Sequence, residues 1–397
     1  MNGKPLVYLD SAATSQKPIQ VIDAVSDYYK GYNANIHRGI YKIAEKATED
    51  YIGSKGDLAK LVGAGSYREI VYVRNATEAI NVVALSYGSA NVGKGDRILI
   101  SKMEHHSNIV PWQMLAKRKG AILDYIEIED GARIDMSDYK EKLEKEPKIV
   151  SFTHASNVLG TINNAKKMTQ MAHSAGAAVL VDGAQSAPHL PINLKDIGCD
   201  FFVLSGHKML APSGIGALIA KEDILEKMEP VYGGGDMIRT VSFEKSTWNE
   251  LPWKFEAGTQ NIEGGIGMGA AARYLLKLGM ENVRAHERAI TEYALKRLEE
   301  LEYVTVYGPG IKDIVSRVGV VAFKIDGVHS HDAAAVFDSE GIAIRSGHHC
   351  AMPLVREIID ETSVSRMSFY IYNRDDEVDS AIDAIGLAKE KFGRAPR

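Results

Sequence analysis

Cysteine is scarce in this sequence: only Cys199 and Cys350 occur in 397 residues. Two thiols so far apart make neither a disulfide framework nor a metal-ligand pair, which is the pattern of a reducing compartment. Charge of one sign is scarce as well, with 47 Lys and Arg against 52 Asp and Glu, a net charge of −5 and no basic run. Such a balance favours neither nucleic acid nor an anionic membrane surface as a partner. No apolar stretch approaches the roughly 18 residues of a bilayer span. The opening MNGKPLVYLD lacks the charged, apolar and small-residue order of a signal peptide. The expectation is a cytoplasmic protein. Low-complexity linkers and internal repeats are missing too.

What is present is an ordinary globular composition, 45% hydrophobic and 25% charged, in a chain long enough for two or three domains. Between residues 69 and 220 lie the short apolar runs EIVYVR, RILIS, ILDYIEI, KIVSFTHAS, AAVLVDGAQ, DFFVLSGHK and IGALIA. Most are continuously apolar, as strands covered on both faces are. The segments 76–88, 111–120 and 164–176 between them carry helical periodicity, and the last two end in Gly with Lys or His nearby. Strands alternating with helices predict an α/β fold with a mostly parallel, doubly wound sheet. After residue 270 the pattern changes to helices at 264–279 and 280–302, strands at 315–325, 341–347 and 365–373, and a final helix from 376. This predicts a large α/β domain over 16–270 and a smaller α+β domain made of 1–15 and 271–397.

Polar, reactive residues gather where ligands collect in such sheets, at the carboxyl ends of the strands. Thr153, His154, Ser156 and Asn157 follow one strand; Asp182 and Gln185 the next; Ser205, His207 and Lys208 the one after. An acid and a lysine on consecutive strand ends are what a pyridine cofactor needs: the lysine forms a Schiff base, and the carboxylate keeps the ring nitrogen protonated so that the ring accepts electrons. A surface lysine beside an unrelated acid is the bland alternative, and SGHK together with VDGAQ weighs against it. Asn75-Ala76-Thr77-Glu78 stands between a strand and an apolar helix, where free N–H groups make an anion site; a simple Thr77 N-cap is the other reading. His105 and His106, adjacent and without a third ligand nearby, favour an aromatic lid at His105 and a structural His106, with a core role for both as the other reading, and no metal is expected.

The segment IRSGHHCAMP, residues 344–353, raises its own question. Thiolate, not thiol, is the nucleophile, and positive charge or donors favour it. Arg345, His348 and His349 lie close by in sequence, Gly347 permits a turn and Pro353 helps end the segment. An exposed, activated thiol on a loop is expected at Cys350. Cys199, in DIGCDFFV at the approach to a buried strand, reads as a small core residue.

Together LDSAATSQKP, NIHRGIY, MEHHSNIVPWQ, SNVLGT, VDGAQS, SGHKMLAPSGIG, FEAGTQN and RSGHHCAMP resemble the group II cysteine desulfurases of the SUF sulfur-mobilisation pathway, within the class V aminotransferase superfamily, with selenocysteine lyases close by. The likeness runs in order from about residue 6 to about residue 390. It implies the type I fold of pyridoxal-phosphate-dependent transferases, with a mostly parallel seven-stranded sheet. It also implies pyridoxal 5′-phosphate as cofactor, L-cysteine as substrate, a Cys350 persulfide that donates sulfur for iron-sulfur cluster assembly, a homodimer, and a sulfur-acceptor protein or SUF scaffold complex as partner. Position by position, the resemblance makes Lys208 the Schiff-base lysine, Asp182 the partner of the ring nitrogen, His105 the ring stacked on the cofactor and a proton carrier, and Gln185 the partner of the ring hydroxyl. Thr77, Ala76, Ser205 and His207 would hold the phosphate, with Thr259 reaching in from a second subunit. Asn157 and Arg366 would bind the substrate carboxylate, while His37 and Arg345 would line the entrance. Asn75-Ala76 stands where the family usually has Gly-Thr, Ala211 where SGHK is followed by Gly-Pro, and Gln260 where Pro follows FEAGT. The alternatives are a selenocysteine lyase, a related aminotransferase, or a scaffold that keeps the fold without the chemistry; presence of Lys208 speaks against the last.

Overall fold

A computed structural model describes residues 3–129 and 132–393. The ends of the expected smaller domain, residues 1, 2 and 394–397, lie outside it. Each of the seven apolar runs forms a strand, and together they make one seven-stranded sheet in the order Ile70–Val73, Gly216–Ala220, Phe201–Ser205, Ala178–Asp182, Ile149–Thr153, Arg97–Ser101, Ile122–Ile126. Only Gly216–Ala220 runs antiparallel to its neighbours. Successive residues of the strands enter two different cores. Val71, Ile98, Ile100, Leu180 and Val203 pack on one face with Ile80, Val83, Trp112 and Leu115. Tyr72, Leu99, Phe152, Val181 and Leu204 pack on the other with Tyr51, Leu58, Met168 and Leu275. Burial on both faces is why the strands read as unbroken apolar runs. The edge strand is shorter than its apolar run: it stops at Ile126, and the Glu127 N–H turns to Asp138 Oδ2 at 2.7 Å.

A second sheet, antiparallel throughout, runs Val304–Tyr307, Val320–Ile325, Val364–Ser368, Arg345–Gly347. Its core of Val321, Phe323, Phe337, Met367 and Ile385 also takes Leu9 from the N-terminal segment. Three expected strands are corrected here, the first being 365–373, which is a strand only over Val364–Ser368. The run 315–325 begins with a 3₁₀ turn, Ile311–Ser316, before its strand, and 341–347 divides between two partners. Ile342–Ala343 pairs in parallel with Val7–Tyr8, whereas Arg345–Gly347 pairs with Val364–Ser368. The chain therefore crosses from the N-terminal strand to the second sheet at the residue before Arg345.

The helices Ile19–Gly31 and Lys42–Val62 and the hairpin Ile238–Val241 with Ser246–Trp248 lie outside what the patterns signalled. The longer helix carries Gly53 and Gly56 in its interior, residues that weaken a helical signal, and it is held instead by packing on Ile262–Leu278. No helix of the described residues is long and apolar enough to cross a membrane, and they contain no cluster of metal-ligating side chains.

Candidate active site

The carboxyl ends of the parallel strands meet the second sheet around a cavity of about 250 Å³. Lys208 follows the Phe201–Ser205 strand in a 3₁₀ turn, Gly206–Lys208. The carbonyl of His207 in that turn accepts from the Ser15 N–H at 3.0 Å, Thr14 Oγ1 at 3.1 Å, Ser15 Oγ at 3.1 Å and Lys17 Nζ at 3.0 Å, so the N-terminal segment holds the lysine's backbone in place. Asp182 ends the neighbouring strand, with Oδ1 accepting from the Ala184 N–H at 2.9 Å. Burial lowers Lys208 to about 8 and raises Asp182, in each case more than their mutual attraction restores.

His105 lies on the same wall, and burial with the nearby Lys208 charge lowers it to about 3. Its Nδ1 accepts from the Ser107 N–H at 3.1 Å and faces Ser107 Oγ at 2.8 Å, so the neutral ring carries its proton on Nε2. Under it lies a carboxyl without an assigned role in the sequence reading. Glu104 Oε1 accepts from Ser101 Oγ and from the Thr153 N–H at 2.9 Å, and Oε2 accepts from Asn108 Nδ2 at 2.6 Å. Burial pushes Glu104 up to about 8 against those three donors, which favour the anion.

Ala76–Val83 is capped by Asn75, whose Oδ1 accepts from the Glu78 N–H at 3.0 Å. Asn75, not Thr77, is the N-cap, which overturns the N-cap reading of Thr77; that residue lines the cavity. Ser205 Oγ accepts the Ala76 N–H at 3.0 Å. The loop comes close to the adjoining strand only because Gly216 has no side chain: a Cβ there would meet Leu204 O at 2.6 Å and Asn75 Cα at 2.7 Å.

The opposite wall carries Arg345, His349, Cys350 and Arg366. Gly347, His349 and Cys350 have φ of +114°, +52° and +57°, and this left-handed turn puts the thiol at the surface. His106 secures it, its N–H donating to Cys350 O at 2.7 Å and its Nε2 accepting the Met352 N–H at 2.9 Å. The source of positive charge differs from the sequence reading. His349 is buried, hydrogen-bonds Val364 O at 3.1 Å and is lowered to about 3 by that burial, so it is uncharged; His348 Nε2 accepts from Arg356 Nε at 3.2 Å. The cations in electrostatic reach of Cys350 are Lys208, Arg366 and Arg345.

Arg366 is fully buried, its Nη1 donating to Asn157 O at 2.9 Å and its Nη2 to Asp10 Oδ1 at 3.1 Å. Asn157 in turn donates from Nδ2 to His349 O at 2.7 Å. Asp10, in the LDSAATSQKP stretch, was given no role by the sequence; only the fold reveals its position. Two expected residues are elsewhere. His37 packs edge-on against Trp253 at 4.3 Å between ring centroids, and Thr259 lines a separate cavity with Tyr232 and Gln260. Neither reaches the first cavity within this chain.

The aminotransferase class-V family model matches residues 7–380. The chain belongs to this family. Among similar class-V proteins are a probable cysteine desulfurase of Halalkalibacterium halodurans, 51% identical over 99% of this chain and 95% of its own length, and a cysteine desulfurase of Haloferax volcanii, 48% identical over 98% and 90%. A solved apo structure of a cysteine desulfurase from Thermococcus onnurineus superposes with a TM-score of 0.93 at 38% identity, covering 97% of this chain and 95% of that one. A crystal structure of an Escherichia coli cysteine desulfurase in an S-sulfonic acid form gives 0.90 at 35%, with the same coverage.

Class-V enzymes of this kind depend on pyridoxal 5′-phosphate. The cavity fits that group on its own evidence. Gln185 donates from Nε2 to Ala12 O at 2.8 Å, which leaves its buried Oε1 as an acceptor without a donor, as a ring hydroxyl requires. A buried acid, a partly buried lysine and the N-terminus of the Ala76–Val83 helix complete the donor and acceptor set.

Proposed function

We propose that this chain is a cysteine desulfurase that takes sulfur from L-cysteine, releases L-alanine and keeps the sulfur as a persulfide on Cys350. The observation that carries the reading is the meeting, in one cavity, of a solvent-facing thiol, a partly buried lysine of lowered pKa and a buried arginine with an unpaired Nε. When bound, pyridoxal phosphate supplies a protonated ring that takes up the electron pair left at a substrate Cα. Lys208 would anchor that group covalently and, when free, would take the Cα proton. Asp182 would keep the ring nitrogen protonated and Gln185 Oε1 would accept the ring hydroxyl; Thr77, Ala76, Ser205 and His207 would hold the phosphate. Arg366, with Asn157 fixing it, takes the substrate carboxylate. His105 would stack on the ring and offer its neutral Nε2–H toward the substrate sulfur or Cβ. Cys350 attacks the substrate sulfur: one S–S bond forms, one C–S bond breaks, Cβ receives a proton and Cα regains the one Lys208 took, so no outside oxidant or reductant is needed.

Thr259 and His37 support a homodimer. Both lie outside the cavity of their own chain, and both neighbour one aromatic cluster that includes Tyr51 and Trp253. A second subunit would bring Thr259 to the phosphate and His37 to the entrance. The short turn that carries Cys350 limits the thiol's reach, which points to a dedicated sulfur-acceptor protein or SUF scaffold and to a role in iron-sulfur cluster assembly.

The test is Cys350→Ala. The variant keeps the yellow cofactor absorbance and loses alanine formation from L-cysteine, while mass spectrometry of the native protein after L-cysteine finds one added sulfur on the Cys350 peptide. Undiminished desulfuration by Cys350→Ala overturns the reading. Activity retained by that variant on selenocysteine alone marks a selenocysteine lyase.

A further inference from the structure

Arg345 and Arg366 stand directly opposite each other on antiparallel strands, a like-charge cross-strand pair that repels unless something neutralises it. Asp10 lies between them. Its Oδ2 accepts from Arg345 Nε at 3.1 Å and Nη2 at 3.0 Å, and its Oδ1 accepts from Arg366 Nη2 at 3.1 Å. The two arginines differ in setting, Arg366 side chain 2% exposed and Arg345 49%. Asp10 itself is held by backbone on both sides: the Leu9 N–H donates to Ala343 O at 2.9 Å, Ser368 N–H to Leu9 O at 2.8 Å, and Ala12 N–H to Ser368 Oγ at 2.9 Å.

We infer that Asp10 is the positioning residue of the carboxylate site, holding the Arg366 guanidinium in one plane and keeping Arg345 beside it at the rim. The inference rests on Arg366 being the residue that takes the substrate carboxylate. A guanidinium has five N–H donors in a rigid fork. Asp10 and Asn157 occupy one on each terminal nitrogen, and Nε, buried and unpaired, remains for an incoming anion with the second N–H of each terminal nitrogen. Without Asp10 the fork is tethered on one side only and faces an unneutralised Arg345. The bonds from Arg366 to Asn157 O and from Asn157 to His349 O, next to the nucleophile, do not involve Asp10, so the turn that presents Cys350 keeps its anchor.

The experiment compares Asp10→Asn, Asp10→Glu and Arg366→Lys in the holoenzyme. KM and kcat for L-cysteine are read beside calorimetric affinity for L-alanine and the melting temperature. Asp10→Asn puts an amide where the carboxylate stood; KM and the L-alanine Kd rise about tenfold or more, the scale of a lost charge-assisted hydrogen bond, while kcat changes less than about threefold. Asp10→Glu restores most of the affinity. Unchanged KM and L-alanine affinity in Asp10→Asn overturn the inference. So does equal damage in Asp10→Asn and Asp10→Glu that follows their melting temperatures. If Arg366→Lys weakens both affinities and Asp10→Asn neither, Asp10 alone loses its role. If Arg366→Lys leaves them untouched, the carboxylate reading of Arg366 fails.

Discussion

Cys350 and Cys199 show how much one residue type depends on its surroundings. Cys199 is buried under the sheet and burial pushes its thiol up to about 12, where it is inert; Cys350 is exposed on a left-handed turn. Iodoacetamide at pH 8 labels Cys350 in the folded protein and leaves Cys199 unmodified until urea is added, as peptide mass spectrometry will read. His105 gives a pH prediction. Burial holds it down to about 3 in the folded chain, below the ordinary imidazole value of about 6.5, so the unfolded chain binds the extra proton first. The stability tied to a neutral His105 is complete above pH 6.5 and is lost as pH falls through about 3. Urea midpoints between pH 3 and 7 fall less steeply for His105→Gln than for the native chain.

At the scale of elements, the strand Arg97–Ser101 and the turn after it depend on Glu104. Asn108 Oδ1 accepts from Trp112 Nε1 at 2.9 Å and Ser151 Oγ at 2.6 Å, which fixes its amide as a donor toward Glu104. Glu104→Gln sets an amide N–H against one of three donors and destabilises by about 1–3 kcal/mol in denaturant titrations. The loop before Ala76–Val83 is equally intolerant. Gly216→Ala forces the Asn75 backbone away from the strand, and the variant loses pyridoxal phosphate on dialysis more readily than the native protein. The strands themselves were legible because both faces are covered and the runs are apolar throughout. Lys42–Val62 was not, because its glycines hide a helix that exists through its packing on Ile262–Leu278.

At the scale of the molecule, the segment carrying Thr259 is anchored by a buried pair. Lys55 Nζ meets Glu256 Oε1 at 2.5 Å inside Tyr51, Tyr72 and Trp253, and Glu256 also accepts from Tyr51 OH at 3.0 Å and the Tyr72 N–H at 2.7 Å. Removing one partner leaves a buried charge, so Lys55→Met destabilises by about 3–5 kcal/mol. The proposed sharing of sites between subunits has a complementation test. Lys208→Ala and Thr259→Val are each impaired alone, and co-expressed chains regain activity, because a mixed dimer contains one site with both native residues. Mixtures no better than the two parents would place Thr259 outside the site.

The sequence by itself determined the parallel sheet, since continuous apolar runs between helical stretches leave few other ways to bury both faces. It also placed Asp182, Gln185, Ser205, His207 and Lys208 at the strand ends, since each is local to the strand that presents it. Tertiary structure decided whatever depends on segments far apart in the chain. It neutralised His349 by burial and supplied Cys350 with the charges of Lys208, Arg345 and Arg366 instead. It set Asp10 between two arginines more than 300 residues away, and kept His37 and Thr259 out of their own cavity. Periodicity reports which face of an element is covered; which charge faces which is settled only when the two sheets close on one another.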